Sequence, residues 1–327
     1  MANATVSRLG LVNNTGTNFD ELFLKVFSGE VLTSFTRNNI FNEQLHSVRT
    51  ISSGKSASFP VLGTATAAYH SVGTPLVGAN QIKANEKIIT IDDLLISQAF
   101  VAQIDELKNH YDVRATYADE LGKALAKQYD INVAKVIANA SRTSTTLSGG
   151  NGGTVLTLAN GNTNSAAVTG DELAAAIYDI AQTFDERDIP QTDRFCVLPP
   201  AEYYKLAESA TRTVDTDFNP QGNGSFASGK IQQIAGIPVM MSNSVPQTNR
   251  SAVTGENNTY SGDDSKTIGL VFHKSAVGTV KLMDMKTEIS GSDYNLMYQG
   301  TLMIAKYLLG HGVLRPECAA TIKLSAS

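Results

Sequence analysis

The chain has 327 residues, of which 17% are charged and 42% are hydrophobic, and its formal net charge at pH 7 is −5. A chain of this length can bury a core for one large domain or two linked ones. The mild acidity and the lack of any Lys/Arg-rich run argue against a dedicated nucleic-acid binder, and no window has the ~18 apolar residues that a membrane-spanning helix needs.

The N-terminal region divides into a polar arm and a helix. Residues 1–20 are mostly Asn, Thr, Ser and Gly, which predicts an arm with little local structure. From Glu21 to Thr36, apolar side chains recur at i, i+4 spacing, as in Leu22 and Val26. This spacing predicts a short helix with one apolar face that needs a partner.

The stretch SVRTISSGKSASFPVLG, residues 47–63, contains Gly54-Lys55-Ser56, which looks like the end of a phosphate-binding loop. Such a loop needs a glycine five positions before Gly54 and a helix directly after Ser56. Arg49 stands where that glycine is required, and the alternating residues after Ser56 include Pro60. The sequence therefore argues against nucleotide binding and predicts an extended strand.

Residues 49–92 predict a large β-hairpin that projects as an arm. Two extended limbs, roughly Ser47 to Tyr69 and Lys83 to Asp92, flank a tip that contains glycines and a proline. Because an isolated hairpin is only marginally stable in water, we expect the arm to rest on a neighbouring subunit. The expected contact residues are Phe59, Val61, Leu62 and Tyr69.

Ser97 to Ala140 is predicted to be the most helical part of the chain. Within it, YADELGKALAKQYDINVAKVIANA fits one long helix of ~35 Å. We interpret its apolar stripe as facing the core, and the stripe consists of Leu121, Ala124, Leu125, Tyr129, Val133, Val136 and Ile137.

The remaining half alternates polar loops with helices and strands, which predicts the α+β class. Residues 141–170 are rich in Gly, Ser, Thr and Asn and predict a domain boundary and an exposed loop, with a small hairpin around Val155-Leu156. Polar loops are also predicted at 213–228 and 243–266. The other predicted elements are helices at Asp171–Arg187 and Ala201–Ser209, strands at Arg194–Leu198, on both sides of Gly236, at Ile268–Phe272 and at Val277–Met285, and an extended C-terminal tail.

The sequence has no pattern for catalysis or metal binding. The five histidines are scattered singly, no Cys/His pair has zinc spacing, and no G-x-S-x-G motif occurs. We expect Cys196 and Cys318 to be buried free thiols. The acidic pairs Asp92-Asp93, Asp185-Glu186 and Asp263-Asp264 are interpreted as solvated or helix-capping carboxylates rather than acid/base dyads.

Neutral polar residues take the place of charged ones on this chain. Ser, Thr, Asn and Gln can be buried against another subunit at lower cost than ions, because no charge has to leave water. Together with the predicted arm and the missing active-site patterns, this composition points to assembly rather than to an enzyme, a metal site or a cofactor site.

Six dense blocks, spread over most of the chain, carry a family resemblance. They are LFLKVFSGEVLTSF (Leu22–Phe35), VRTISSGKSASFPVLGTATAAY (Val48–Tyr69), EKIITIDDLL (Glu86–Leu95), NHYDVRATYADELGKALA (Asn109–Ala126), HKSAVGTVKLMD (His273–Asp284) and IAKYLLGHGVLRPE (Ile304–Glu317). In this order they resemble the major capsid proteins of T-seven-like short-tailed bacteriophages, which have the Hong Kong ninety-seven fold.

The resemblance implies a division of the chain into regions. These are an N-terminal arm at 1–49, an extended loop at 50–92, a peripheral domain with a long spine helix at 93–140 and 266–295, and an axial domain at 141–265 and 296–327. Lys55 would then offer its charge to an acidic patch on a neighbouring subunit, which adds it to the apolar contact candidates.

The resemblance also implies a structural role in place of an enzymatic one. It implies self-assembly as pentamers and hexamers into the icosahedral head shell that encloses the phage double-stranded DNA. The implied partners are further copies of the chain, a portal protein, packaged DNA bound non-specifically and a separate scaffolding protein, since only about twenty residues precede the first block. The protein would be made in the host cytoplasm and reside in the virion, with no membrane partner.

Two alternatives stay open from the sequence. One is an encapsulin-type shell of a cellular compartment, which would have the same fold. The other is an unrecognised hydrolase that uses scattered Asp and His side chains.

Overall fold

The computed structural model describes residues 30–35, 39–63, 65, 67–75, 82–104, 113–145, 147, 150–158, 168–208, 224–225, 230–231 and 233–324. Its helices are α1 (Val113–Arg142), α2 (Gly170–Glu186), α3 (Pro200–Glu208) and α4 (Ser292–Tyr298), and residues 30–35 are also helical. The rest of the helix predicted at Glu21–Thr36 lies outside the described residues, as does most of the loop predicted at 213–228.

The strands are distributed along most of the described chain. They are β1 (Ser47–Thr50), β2 (Ser56–Leu62), β3 (Ala84–Thr90), β4 (Leu95–Ala102), β5 (Thr154–Thr157), β6 (Arg194–Leu198), β7 (Gly224–Ser225), β8 (Lys230–Ile231), β9 (Gln233–Ile234), β10 (Ile237–Met241), β11 (Asn249–Arg250), β12 (Gly262–Asp263), β13 (Thr267–His273), β14 (Val277–Ile289), β15 (Gly300–Val313) and β16 (Ala319–Lys323).

The strands form one four-stranded sheet, one six-stranded sheet and separate pairs. The four-stranded sheet has the order β1-β14-β15-β4 and the six-stranded sheet the order β5-β16-β13-β6-β10-β9. The pairs are β2 with β3, β7 with β8 and β11 with β12. Helices and strands are thus mixed without a repeating βαβ order, which confirms the predicted α+β class.

The chain divides into two compact units, the first drawn from residues 1–40, 93–130 and 283–309. In this unit, β15 pairs antiparallel with β4 in a register that sets Tyr307 opposite Leu95. The rings of Phe35, Tyr129 and Tyr307 meet edge to face, with centroids 5.9 to 6.4 Å apart. Such aromatic contacts add about 0.5–1.5 kcal/mol each beyond the area they bury.

The strand β4 corrects one prediction, because the helix predicted from Ser97 onward does not begin there. Residues Leu95–Ala102 form a strand, and their side chains alternate between exposed and partly buried positions. The sequence LISQAFVA suits this period of two, and pairing with β15 satisfies its backbone. Local helix propensity around Ser97 is overridden by this tertiary pairing.

The long helix α1 confirms the prediction for its part of the chain. It runs as one element of 30 residues from Val113 to Arg142. The predicted stripe is buried from Leu121 to Ile137, except that Ala124 is exposed. Gly122 explains how the helical residues 30–35 can lie close to α1, because a Cβ there would come within 2.7 Å of the Val31 carbonyl oxygen.

The second unit, drawn from residues 41–92, 131–282 and 310–327, contains the six-stranded sheet. Its central strand β13 is antiparallel to both β6 and β16, and only the last residue of β13 is not buried. The amphipathic helix α2 buries Ile177, Ile180 and Phe184, and a capping box between Thr169 and Glu172 fixes its start. These elements confirm the helices and strands predicted between Asp171 and Phe272.

The hairpin predicted around Val155-Leu156 is wrong. These residues belong to β5, which pairs parallel with β16 so that Val155 lies opposite Thr321. The partner strand is far away in sequence, so no local turn signal could indicate the pairing. The glycines before β5 have a packing role, because a Cβ on Gly153 would come within 2.2 Å of the Ala140 carbonyl oxygen.

Among the described helices, none is long and apolar enough to cross a membrane.

Candidate interaction surface

The predicted arm is present as an antiparallel hairpin of β2 and β3. Its register runs from Ser56 opposite Thr90 to Leu62 opposite Ala84, and the Gly63 N–H donates to the Lys83 carbonyl at 2.8 Å. Within the described residues, β2 and β3 hydrogen-bond as a separate two-stranded sheet. A pair of strands without a third one or a covering layer is marginal in water, so the arm needs further contacts.

The segment Gly54-Lys55-Ser56 has the backbone of a strand entrance and not of a phosphate-binding loop. Gly54 has a φ of +114°, and Ser56 begins β2 rather than a helix. Without a helix after Ser56, no helix dipole or row of free N–H groups faces an anion here. The extended strand that the sequence predicts after Gly54 is therefore confirmed.

The two faces of the arm differ in burial. At the root of the arm, where β2 begins and β3 ends, Ala57 and Ile89 are opposite each other on one face and both are buried. Further out on this face, Phe59 and Val61 are partly buried, and the Arg49 guanidinium lies 5.7 Å from the centre of the Phe59 ring. This face is thus covered by its own chain near the root and opens toward the tip.

The opposite face of the arm carries exposed apolar side chains among polar ones. It carries Leu62, which is 71% exposed, and Ile88, which is 59% exposed and lies opposite Ser58. Beyond the strands, the side chains of Tyr69 and Val72 are fully exposed. These large apolar side chains on a projecting hairpin make the arm the candidate interaction surface.

The five predicted contact residues therefore do not share one face. Lys55, Leu62 and Tyr69 are exposed, whereas Phe59 and Val61 are partly buried on the other face. No contact with a second chain tests them, so their role stays a prediction. Sequence reasoning missed Ile88 and Val72. Because neighbouring residues of a strand lie on opposite faces, the run EKIIT in β3 would have indicated that Ile88 and the buried Ile89 lie on different faces of the arm.

The root of the arm sits on glycines of β14 and β15. A Cβ on Gly310 would come within 2.0 Å of the Thr90 carbonyl oxygen, and a Cβ on Gly312 within 2.7 Å of the Ile89 side chain. A Cβ on Gly278 would lie 3.0 Å from Ile89. Only glycine lets the backbone of the arm approach these strands so closely.

Buried charge in this unit serves structure and corrects the interpretation of two acidic pairs. Asp264 is fully buried and forms ion pairs with Arg142, at 2.6 Å, and with Arg250. Asp92 is partly buried, and burial raises the pKa of its carboxyl although hydrogen bonds from Tyr260, Asn257 and Asn258 oppose the rise. Asp264 is shielded from water and Asp92 is shielded in part, and neither caps a helix, because both bind partners distant in sequence.

The acidic pairs do not form dyads either. Asp93 and Asp263 are exposed while their neighbours Asp92 and Asp264 are not. Asp185 accepts a hydrogen bond from Arg194 at 2.6 Å, and this bond lowers the pKa of the Asp185 carboxyl.

The described residues contain no cluster of three or more His, Cys, Asp or Glu side chains that could hold a metal ion. Cys196 and Cys318 are buried free thiols, as predicted. Burial raises the pKa of Cys196 to about 12, which keeps it protonated and unreactive at neutral pH.

Comparisons with known proteins agree with this structural reading. The sequence profile of the family described as Gp10A-like major capsid protein matches residues 58–323. The major capsid protein of Escherichia phage T7 is 34% identical over 334 aligned residues, covering 92% of this chain and 91% of that protein.

Solved capsid structures match the whole fold. The capsid structure of cyanophage P-SCSP1u is 49% identical, covers 100% of both chains and has a TM-score of 0.80. The mature capsid of bacteriophage PhiM1 has a TM-score of 0.70 at 18% identity, over 89% of this chain and 88% of that one, which supports the fold alone. The fold is that of Hong Kong ninety-seven-like capsids.

The phage matches also disfavour the cellular compartment shell as an alternative. With its hairpin arm, its long helix and these relatives, the chain belongs to the Gp10A-like family of bacteriophage major capsid proteins and is a structural component of the virion.

Proposed function

We propose that the chain assembles as pentamers and hexamers into the icosahedral head shell that encloses the phage double-stranded DNA. The observation that carries the proposal is the arm: a separate hairpin with exposed Leu62, Tyr69, Val72 and Ile88 side chains and no covering strand among the described residues. Such a surface needs a partner, and a neighbouring copy of the chain is the partner that a capsid subunit always has.

The proposed contact is repeated around a ring. Each subunit would give one arm to its neighbour and receive one from the other side, which is a head-to-tail contact that closes into pentamers or hexamers. Burial of one exposed Leu or Val side chain contributes about 1.5–3 kcal/mol. Association itself costs roughly 4–15 kcal/mol in lost freedom of motion, which offsets most of what the few apolar side chains of one arm contribute, so one arm alone binds weakly. A closed shell multiplies this contribution, and weak single contacts allow errors to be corrected during assembly.

Individual residues have distinct proposed roles in this contact. Leu62 and Tyr69 would be buried against the neighbour, Phe59 and Val61 would stiffen the hairpin and join the contact toward its tip, and Lys55 would face an acidic patch. The regions at 1–49, 50–92, 93–140 with 266–295, and 141–265 with 296–327 are proposed as N-terminal arm, extended loop, peripheral domain and axial domain.

We further propose a separate scaffolding protein, a portal protein and non-specifically packaged DNA as partners, and synthesis in the host cytoplasm. The net charge of −5 supports weak and non-specific contact with DNA, because the genome has to be packed and later released. The proposed role is structural, without catalysis.

Substitutions in the arm test the proposal. The double variant with Leu62→Ser and Tyr69→Ser is expected to keep its fold, since both side chains are exposed, and to lose assembly into closed particles in the presence of the scaffolding protein. The matched control carries Leu62→Met and Tyr69→Phe, which keep the apolar area. Electron microscopy and size-exclusion chromatography measure particles, and circular dichroism measures the fold. Normal shells from the serine variant would contradict the proposed role of the arm.

A further inference from the structure

A loop between β10 and β13 also holds the root of the arm. Asn258 exchanges two hydrogen bonds with the backbone of Thr90: its side-chain oxygen accepts from the Thr90 N–H at 3.1 Å, and its Nδ2 donates to the Thr90 carbonyl at 2.6 Å. This double exchange is the one that pairs residues in an antiparallel ladder. The side-chain amide of Asn258 therefore extends the hydrogen-bond pattern of the strand by one pair at the end of β3.

The neighbours of Asn258 bind the next residues of the root. Asn257 donates from Nδ2 to the Ile91 carbonyl at 2.7 Å and from its backbone N–H to the Asp92 carboxylate at 2.8 Å. The hydroxyl of Tyr260 donates to the Asp92 carboxylate and accepts from the backbone N–H of His311 at 2.9 Å. Tyr260 is 2% exposed, so the two bonds of its hydroxyl are shielded from water.

The other side of this loop is bound to the C-terminal half of α1. Asn139 donates to the carbonyls of Thr259 and Ser261, which flank Tyr260, at 2.8 and 3.2 Å. Lys135 lies 3.7 Å from the carboxylate of Glu256. Arg142 pairs with Asp264 at 2.6 Å. Residues 135, 139 and 142 are spaced at i, i+4 and i+7, so one face of the helix holds the loop.

We propose that residues 256–264, with Asn257, Asn258 and Tyr260 as positioning residues, form a coupler that fixes the direction of the arm to the C-terminal half of α1. Among the described contacts, the coupler and the glycines hold the root of the arm, and Arg49 contacts it further out through the Phe59 ring and the Ser58 carbonyl. β2 and β3 pair only with each other, so no third strand sets the direction of the arm. A shift of α1 along this face would be passed to Thr90–Asp92 through hydrogen bonds and not through a flexible linker. The consequence for assembly rests on the proposed function, whereas the direction of the arm can be measured without it.

Distances between spin labels test the coupler in the full-length chain. One label is attached at Ser58→Cys in the arm and the other at Asp179→Cys on α2, both exposed positions, while the native thiols are buried. The parent chain is expected to give one narrow distance distribution. Asn258→Ala, which removes the bonds to Thr90 and Asp92, and Tyr260→Phe, which removes only the hydroxyl, are both expected to broaden it at least twofold.

Two further variants separate coupling from a general loss of stability. Asn139→Ala, on the helix side of the coupler, is expected to broaden the distribution as Asn258→Ala does. The control Asn249→Ala changes an exposed asparagine of β11 and is expected to leave the distribution narrow. Hydrogen exchange within β2 and from Ala84 to Ile89 of β3 is expected to stay unchanged, because the hairpin itself stays paired, whereas the Thr90 N–H is expected to exchange faster in Asn258→Ala because it loses its acceptor.

The outcomes test the coupler and the proposed function separately. A distribution that stays narrow in Asn258→Ala and Tyr260→Phe, or one that Asn249→Ala broadens equally, would overturn the coupler. Absence of shells from the parent chain would overturn the proposed function and leave the coupler standing. If Asn258→Ala does not fold, Tyr260→Phe alone decides, because it keeps the packing volume of the ring.

Discussion

Substitution of Gly310 by alanine tests how tightly the root of the arm is seated. The added Cβ would stand 2.0 Å from the Thr90 carbonyl oxygen and 3.0 Å from the Cα of Ile91. Both neighbours are backbone, so no side chain can rotate away. Thr90 is in turn held by Asn258 at 2.6 and 3.1 Å, which opposes the shift of about an ångström that ordinary van der Waals contact requires.

Two effects of opposite sign determine how much Gly310→Ala changes the free energy of unfolding. Alanine restricts the unfolded chain more than glycine and favours the strand by roughly 0.5–1 kcal/mol. Overpacking against a fixed neighbour costs about 1–3 kcal/mol. The contact with Thr90 is far inside the normal range, so we expect overpacking to win and the free energy of unfolding to fall by about 1–2 kcal/mol.

Urea denaturation of the unassembled subunit measures this change. The matched control is Gly291→Ala, where no heavy atom lies within 4 Å of the added Cβ. Gly291 is the N-cap of α4, and the weaker capping by alanine offsets its gain from the restricted unfolded chain, so we expect a net change below about 0.5 kcal/mol there. A loss in Gly310→Ala no larger than in the control would refute the close seating of the arm on β15.

Further predictions concern the core and the buried charges. Asp264→Asn is expected to lower the free energy of unfolding by about 3–5 kcal/mol in denaturation experiments, because it leaves Arg142 and Arg250 without their buried counter-charge. The control Asp179→Asn, at an exposed position, is expected to change the free energy of unfolding little. A small loss in Asp264→Asn would count against the ion-pair geometry. Gly122→Ala is expected to destabilise the protein although alanine is favoured in helices by about 1 kcal/mol, because its Cβ would lie 2.7 Å from the Val31 carbonyl oxygen and 2.8 Å from the Ser34 Cβ; a stabilising effect in thermal unfolding would show that this contact is loose. Burial lowers the pKa of His46 to about 4 and that of His311 to about 3, so the unfolded chain takes up protons first and stability is lost as the pH falls from about 6.5 through these values. Each histidine contributes about 1.4 kcal/mol per pH unit in that window, and His46→Gln is expected to reduce the slope of stability against pH by this amount between pH 6 and pH 5; an unchanged slope would contradict the burial of His46 in its neutral form.

Local patterns in the sequence predicted those elements whose signal is contained in a short window. Alternation between Ser56 and Leu62 predicted β2, and the stripe from Leu121 to Ile137 predicted the core face of α1. The same kind of local inference failed at β4, where it predicted a helix, and at β5, where it predicted a hairpin. Both strands are stabilised by partners far along the chain, Gly300–Tyr307 for β4 and Ala320–Lys323 for β5, and no window of sequence contains both members of such a pair.

The arm itself was predictable, but the way it is held was not. Residues 243–266 have the composition of a polar loop, and nothing in the run ENNTY indicates that Asn258 pairs with Thr90 or that Tyr260 binds Asp92. For the same reason, Asp92 and Asp264 were misread as solvated or capping groups. Their partners become visible only when the fold brings together residues more than a hundred positions apart, as with Asp92 and Tyr260.

The most direct test of the central claim is electron microscopy of the products that the unmodified chain forms with and without a scaffolding protein, with size-exclusion chromatography of the same samples. The account predicts closed, uniform icosahedral particles when the scaffolding protein is present. A monodisperse monomer or dimer under every condition, without curved sheets or tubes, would contradict it.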